Sequence, residues 1–291
     1  MAERGRVVTD SMIGLKMPDY QRVTPRVATV LGQNPNPFTG PGTNTWIVGT
    51  SKRPILLDTG QGVAIYADLL EAGLKELSGS HELERIVLTH AHIDHLGGVK
   101  QVTERFGEME VLKMPWEGHD GPAGEISAIG HDAVVHTEGA TLRAVHTPGH
   151  APDHLCYYLE EERALFTGDV VLGAGTTVIP DDTGDLGDYM DSLRRLLALD
   201  LDTIYPAHGP VIRNPREKIG EYIAHRELRE RQVLEVLDGA GPLDAMAIVK
   251  KIYIDVPEYL HPAAASSVRS HLRKLVREGR VVEHEKRWSL N

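Results

Sequence analysis

Short apolar runs that stop abruptly on a polar, metal-capable residue recur along this chain and set its architecture. Ile86-Val87-Leu88 leads into Thr89-His90-Ala91-His92-Ile93-Asp94-His95, and Thr141 to His146 leads into Thr147-Pro148-Gly149-His150. Ala164-Leu165-Phe166 leads into Thr167-Gly168-Asp169, and Thr203-Ile204-Tyr205 into Pro206-Ala207-His208-Gly209-Pro210. Runs this short, closed by Gly- or Pro-bearing turns, predict buried strands whose ends carry the interesting side chains. Strands are also predicted at Thr43–Val48 and at Pro54–Leu57, the latter ending on Asp58-Thr59-Gly60. The looser alternation from Val23 onward, broken by Asn34-Pro35-Asn36-Pro37 and Gly40-Pro41-Gly42, predicts further strands joined by turns. Helical spacing appears from Val63 to Leu77, where Ile65, Leu69, Leu70, Leu74 and Leu77 share a face. It returns from Val99 to about Phe106 and from about Asp188 to Leu199. Residues 111–139, rich in Gly, Pro and His, show no period and are expected to cover the surface, with Trp116 lining a substrate groove.

Beyond His208 the pattern changes. Arg216 to Asp238 predicts one long polar helix, ended by Gly239-Ala240-Gly241-Pro242. Helical spacing follows at Leu243–Tyr253 and, after a Pro-containing break, at about Pro262–Glu278, before a hairpin-like ending at 280–290. Helices followed by a hairpin are the plan of a winged helix. The expected division is therefore a main domain at 1–238, including the long helix, and a winged-helix-like domain at 239–291.

Composition narrows the class. A chain of 291 residues, 41% hydrophobic and 25% charged, has the profile of a globular protein with room for a full core. No apolar run approaches the roughly 18 residues of a membrane span. Met1 to Asp10 lacks the apolar stretch of a secretory signal, so a cytoplasmic address is expected. The single cysteine, Cys156, excludes an intramolecular disulfide and any Cys-rich zinc module. The net charge of −11 is uneven: residues 239–291 carry nine Lys/Arg against six Asp/Glu, or +3, and the rest carries 22 against 36, or −14. The acidic body disfavours a polyanion, while the basic tail, with Arg269, Arg273, Lys274 and Arg277 on one predicted helix, offers candidate phosphate contacts or a solvated face.

The candidate chemistry is metal binding. Three imidazoles and a carboxylate within six residues, placed where a strand ends, are ligands of the kind Zn2+ accepts. Three further strand ends each deliver one more His or Asp, which points to convergence on one spot. Asp58 reads either as a helix cap or as a partner that orients a neighbouring ligand. His119, His131 and His136 stand alone and read as surface or structural residues.

The motif His90-Ala91-His92-Ile93-Asp94-His95, followed in order by His150, Asp169 and His208, resembles the metallo-β-lactamase superfamily. The resemblance implies an α/β (α+β) fold, an αββα sandwich of two mixed sheets with helices outside and metals at one edge, joined here to a small C-terminal winged helix. It implies that His90, His92 and His150 hold a first metal, Asp94, His95 and His208 a second, and that Asp169 bridges them. Asp58 then becomes an orienting partner, because a metal-bound imidazole needs an acceptor on its other nitrogen. Gly42-Thr43-Asn44-Thr45-Trp46, Gly173–Val178, Ile204–Pro210 and Pro262–Leu272 are similar to the β-lactamase-like protein 2 branch, whose animal members cut single-stranded RNA and whose fungal relatives are thioesterases. Within the Gly173–Val178 stretch, Thr176 and Thr177 are expected to line the substrate.

Departures from the superfamily pattern are informative. Antibiotic-hydrolysing members place a Cys in the second metal site, and Cys156 lies away from the ligand turns. Nucleases with a large inserted domain need more than the 38 residues between Asp169 and His208. His92, rather than the Glu of flavodiiron members, favours two Zn2+ over Mn2+ or Fe. The expected activity is metal-dependent hydrolysis by a metal-bridging hydroxide, with Asp94 shuttling the proton to the leaving group. The first choice of substrate is single-stranded RNA, the alternative a small acyl thioester or lactone. A nucleic-acid-binding regulator with a metal sensor domain is the non-enzymatic alternative. The expected partners are these substrates and a second copy of the chain as a homodimer, with no membrane.

Overall fold

The computed structural model describes Met12, residues 14–254, Pro257, Glu258 and residues 261–291. The stretch Met1–Asp10 and part of the Pro-containing break near 255–260, both used above, lie outside the described residues. By internal contacts the chain forms two compact units. One takes the chain up to Thr147, Asp153–Thr177 and Ala198–Lys218; the other takes Pro148–Pro152, Val178–Leu197 and Ile219–Asn291.

The first unit is built on two sheets. In the first, β1 (Tyr20–Arg22), β2 (Val27–Leu31), β3 (Asn44–Val48), β4 (Ile55–Leu57), β5 (Ile86–Val87), β6 (Val111–Lys113) and β7 (Ser127–Ala128) lie side by side in chain order. Pairing is antiparallel from β1 to β4 and parallel from β4 to β7. The second sheet has the order β12-β11-β10-β9-β8, formed by β8 (Val134–Thr137), β9 (Ala140–His146), β10 (Leu155–Leu159), β11 (Ala164–Gly168) and β12 (Thr203–Pro206). Only β11 and β12 are parallel in it, and a parallel pair needs a long crossover.

Alternation along the strands explains the layering. Trp46, Val48, Ile55, Leu57 and Val87 point one way and pack with Leu142, Leu155, Tyr157, Phe166 and Tyr205 of the second sheet. Their neighbours Ile47, Leu56, Ile86 and Leu88 point the other way, against Tyr66, Leu70 and Leu74 of α1 (Tyr66–Ser78), Leu96 of the single turn α2 (Ile93–Leu96), and Val99 and Val102 of α3 (Val99–Phe106). Strands with both faces covered carry continuous apolar runs, which is why β4 and β5 read as unbroken rather than alternating.

The strands β6, β7 and β8 fall within the stretch that shows no period. At two to four residues each, with β7 exposed at both positions, they are too short for alternation to register. Inside this region Lys113 is fully buried and ion-paired to Asp153, which is 1% exposed, and to Asp120 at 2.7 Å. Its ammonium also donates to the Met114 carbonyl at 2.7 Å, and Asp120 accepts from the Trp116 backbone N–H.

The second unit holds α4 (Leu186–Leu197), most of α5 (Pro215–Leu237), α6 (Ala245–Ile252), α7 (His261–Arg277) and the hairpin β13 (Val281–His284) and β14 (Arg287–Leu290). The boundary expected at 238/239 falls inside this unit, because Val233 and Leu237 of α5 share one apolar core with Ile248, Val249, Val268, Leu272, Leu275 and Trp288. Asp244 caps α6 by accepting from the Ala247 N–H at 2.8 Å. No helix among the described residues is long and apolar enough to cross a membrane.

Candidate metal centre

The histidine motif is shaped by the glycines that follow it. A Cβ on Gly98 would lie 2.1 Å from the Thr59 carbonyl oxygen, so the turn after α2 can lie against residues 59–62 only without a side chain there. Gly98 N donates to Gly60 O at 3.0 Å, and Thr59 N and Oγ1 donate to the His95 carbonyl at 2.8 and 2.9 Å. The loop after β4 thus clamps the motif.

Asp58 sits at the centre of this clamp with φ at +60°, a conformation that costs a non-glycine residue about 1–3 kcal/mol. Its surroundings hold it there. Oδ1 accepts from the Thr89 N–H at 2.8 Å, the Thr89 hydroxyl sits 2.9 Å from Oδ2, and His95 Nδ1 donates to Oδ2 at 2.8 Å. Asp58 thus meets the His95 ring directly, and the helix that follows begins only at Tyr66, with Ile65 in the cap position. With Nδ1 committed as a donor, Nε2 is the nitrogen of His95 left to exchange a proton for a cation.

Around that nitrogen the predicted ligands gather. His95 Nε2 is buried without a hydrogen-bond partner, 3.5 Å from Asp94 Oδ2 and 3.4 Å from Asp169 Oδ1. His208 Nε2 lies 3.3 and 3.1 Å from the same two oxygens. Ligands about 2.1 Å from a tetrahedral ion are about 3.4 Å apart, so these spacings suit atoms that share a cation. The ligand atoms of Asp94, His95 and His208 all lie within 4.8 Å of one another, as do those of His90, His92 and Asp169. His90 Nε2 approaches His92 Nδ1 at 3.0 Å, and its Nδ1 meets the Thr89 hydroxyl at 3.0 Å. His150, in the second unit, has its Nδ1 against the Val178 carbonyl at 2.7 Å.

The later ligands are positioned by residues whose part the sequence reading did not assign. Asp169 follows Gly168, whose φ is +47°, and a Cβ there would lie 2.5 Å from His154 Nε2. Asp169 N donates to that same nitrogen at 3.1 Å, which makes His154 Nδ1 the protonated one, donating to Thr147 Oγ1 at 2.9 Å. A fully buried histidine beside the ligands is thereby committed to the backbone. Asn44 Nδ2 donates to the carbonyls of Pro206 and Gly209 at 3.0 and 2.9 Å and so fixes the turn carrying His208. Thr43 Oγ1 donates to Asp94 Oδ2 at 3.1 Å. The available signal was three polar residues, Thr43, Asn44 and Thr45, running into a buried strand.

Thr177 is buried and its hydroxyl donates to the Asp169 carbonyl at 2.6 Å, bracing that turn, while Thr176 beside it is half-buried. Trp116 is stacked on His119, with ring centroids 3.8 Å apart, and its backbone N–H donates to Asp120. On α7, Arg269 and Arg273 contact Asp181, Lys274 contacts Glu230 and Glu278, and Arg277 contacts Asp185. Each of the four candidate phosphate contacts thus already faces a carboxylate. Cys156 is buried on β10, and burial pushes its thiol up to about 12, which fits its exclusion from the chemistry.

Electrostatics agrees with a cation site. Burial opposes charge on His208, but Asp169 and Asp94 outweigh it and raise the ring to about 9. His95 is likewise raised well above the usual range against burial, by Asp94, Asp169 and Asp58. Asp94 and Asp169 are held below the carboxylate range despite burial, by these same imidazoles. Protons take the place of cations here. Loading with a divalent ion at pH 7 is therefore expected to release about two protons per chain, and affinity should rise with pH at least as far as about 9, where His208 gives up its proton. Titration in weak buffer with a pH electrode checks this, and an affinity flat between pH 6 and 9 would contradict it.

The comparisons with known proteins agree with this geometry. The family described as Metallo-beta-lactamase superfamily matches residues 38–208, and the Beta-lactamase associated winged helix domain matches residues 245–288. Beta-lactamase-like protein 2 homolog of Caenorhabditis elegans is 40% identical over 268 residues, covering 91% of this chain and 88% of that one. Atrochrysone carboxyl ACP thioesterase of Emericella nidulans is 40% identical over 272 residues, covering 91% and 83%. A beta-lactamase domain protein from Burkholderia ambifaria, 20% identical, superposes with a TM-score of 0.82 and covers 97% of both chains.

Proposed function

We propose a reaction from one premise, that the chain belongs to the metallo-β-lactamase superfamily and carries the histidine and aspartate cluster of a metal-dependent hydrolase. The reaction we infer is hydrolysis of an acyl thioester. His90, His92 and Asp169 form one group able to hold a metal ion, and Asp94, His95 and His208 another; we assign them to two Zn2+, with His150 proposed as a ligand as well. Two such cations, when bound, supply a water activated near neutral pH and a Lewis acid for the thioester carbonyl.

The chain's own residues do the rest. Asp58 and Thr89 hold His95 in one tautomer, and Asn44 holds the turn of His208, so the ligands are set in place before substrate arrives. Asp94 keeps 17% of its side chain exposed, and its Oδ2 is taken by Thr43, His95 and His208, leaving Oδ1 to receive a proton and hand it to the departing thiolate.

The observation that favours thioester over RNA is the pairing of Arg269, Arg273, Lys274 and Arg277 with carboxylates in a chain of net charge −11, so among the described residues this helix offers a polyanion no unpaired basic stripe. The similarity to carboxyl ACP thioesterases over 91% of the chain supports it. Incubating zinc-loaded protein with an acyl-CoA panel, with thiol release followed by a chromogenic disulfide, is expected to show turnover that His92→Ala reduces at least about a hundredfold. Buried Cys156 leaves the reagent blank low. Intact thioesters beside a cleaved single-stranded RNA would replace this reading by the nuclease, and a salt-sensitive shift of duplex DNA without hydrolysis would replace it by the regulator.

A further inference from the structure

We propose that the winged helix is a positioning element for His150, acting through a carboxylate clasp on the segment 178–185. The inference rests on the reading of His150 as a metal ligand.

The clasp lies wholly within the second unit. The turn 148–152 is gripped at three consecutive residues. Ser192 of α4 donates its hydroxyl to the Pro148 carbonyl at 2.8 Å, Asp185 N donates to the Gly149 carbonyl at 2.8 Å, and His150 Nδ1 donates to the Val178 carbonyl at 2.7 Å. The last bond leaves Nε2 as the ligand nitrogen and fixes the ring plane. Gly149 has φ at +124° and a Cβ there would lie 2.3 Å from Tyr189 N, so the turn sits directly on the first turn of α4.

Two of the three bonds therefore depend on where 178–185 lies, and that segment contains no helix or strand to hold it. It is held by α7. Arg269 Nε donates to Asp181 Oδ2 at 2.9 Å and Arg273 donates to Asp181 Oδ1 at 3.2 Å, while Arg277 pairs with Asp185 and the Ser270 hydroxyl reaches the Ile179 carbonyl at 3.4 Å. Positions 269, 273 and 277 are spaced by four and form one stripe along the helix. Both oxygens of Asp181 are occupied by consecutive members of that stripe, a two-pronged grip that fixes direction as well as distance. The basic stripe is accounted for by this task without any phosphate. Arg269 and Asp181 are 40% and 33% exposed, and pairs this open contribute little to global stability, so their loss should act on the ligand and not on the fold.

The test is Co2+ titration of the full chain followed by its visible absorption, with His150→Ala marking which equivalent belongs to that ligand. Wild type is expected to bind two equivalents. Asp181→Ala should weaken the His150-dependent equivalent about tenfold, the scale seen when a ligand's supporting partner is removed, and leave the other unchanged. Asp181→Glu should restore most of it. The melting temperature of the metal-free protein should stay that of wild type, and Asp181→Asn, which keeps the side-chain volume, serves if the alanine variant unfolds. Equal weakening of both equivalents, or none in either substitution, overturns the positioning role. A wild type that fails to bind two equivalents, or a His150→Ala protein that binds as wild type, overturns the underlying metal assignment instead.

Discussion

Replacing Asp169 by asparagine is expected to leave a folded protein that hydrolyses its substrate about a thousandfold more slowly. The side chain sends one oxygen to within 3.4 Å of His95 Nε2 and 3.1 Å of His208 Nε2, while its backbone is tied independently through its N–H to His154 and its carbonyl to Thr177. The fold therefore does not need the carboxylate, but the charge balance of the centre does. Removing one anionic group from the proposed metal site, worth several kcal/mol of transition-state stabilisation at tenfold per 1.36 kcal/mol, gives about three orders of magnitude. Turnover and bound metal measured together would check it. A variant keeping both the metal content and the rate of wild type would remove Asp169 from the proposed ligand set.

Truncating Lys113 to alanine is expected to cost about 3–5 kcal/mol of stability, the scale for removing one member of a buried ion pair. The ammonium has no solvent exposure and sits between Asp153, 1% exposed, and Asp120. Burial already pushes the Asp153 carboxyl up despite Lys113, so without the lysine it would be left as a desolvated charge or a forced neutral acid. The consequence reaches the centre, because Asp153 directly precedes His154 and Asp120 anchors the Trp116 loop. Urea unfolding of metal-free protein would measure the loss. A change under about 1 kcal/mol would mean that water reaches the ammonium as it does in surface pairs.

What the chain disclosed in advance follows from how locally each feature is encoded. Helix α3 was readable to the residue, and β9 to within one, because their apolar periods are confined to a few consecutive positions. Six of the seven ligand candidates gather in the first unit because each stands where an apolar run stops, a signal carried by two or three neighbours. The residues that aim them were not readable as such. Asn44 reaches Gly209 across 165 positions, and Thr43 reaches Asp94 across 51, and no periodicity links partners so distant. His154 offered the same side chain as a ligand and is withdrawn from the metal only by a backbone N–H. The stripe on α7 was visible, but the carboxylates that meet it lie about ninety positions earlier.

Those same separations bear on how the centre comes into being during folding. A bond between Asn44 and Gly209 closes a loop of 165 residues, and such closures are entropically costly and come late, after local hairpins such as β9–β10 have formed. His90, His92, Asp94 and His95 stand together from the first moments of synthesis, whereas His208 joins them only once β12 has docked beside β11. A nascent chain can thus offer a cation the histidine motif alone, an open and weak site. His208 is the candidate that needs the most distant closure, so an ion that required all of these residues would find its complete set only late in folding.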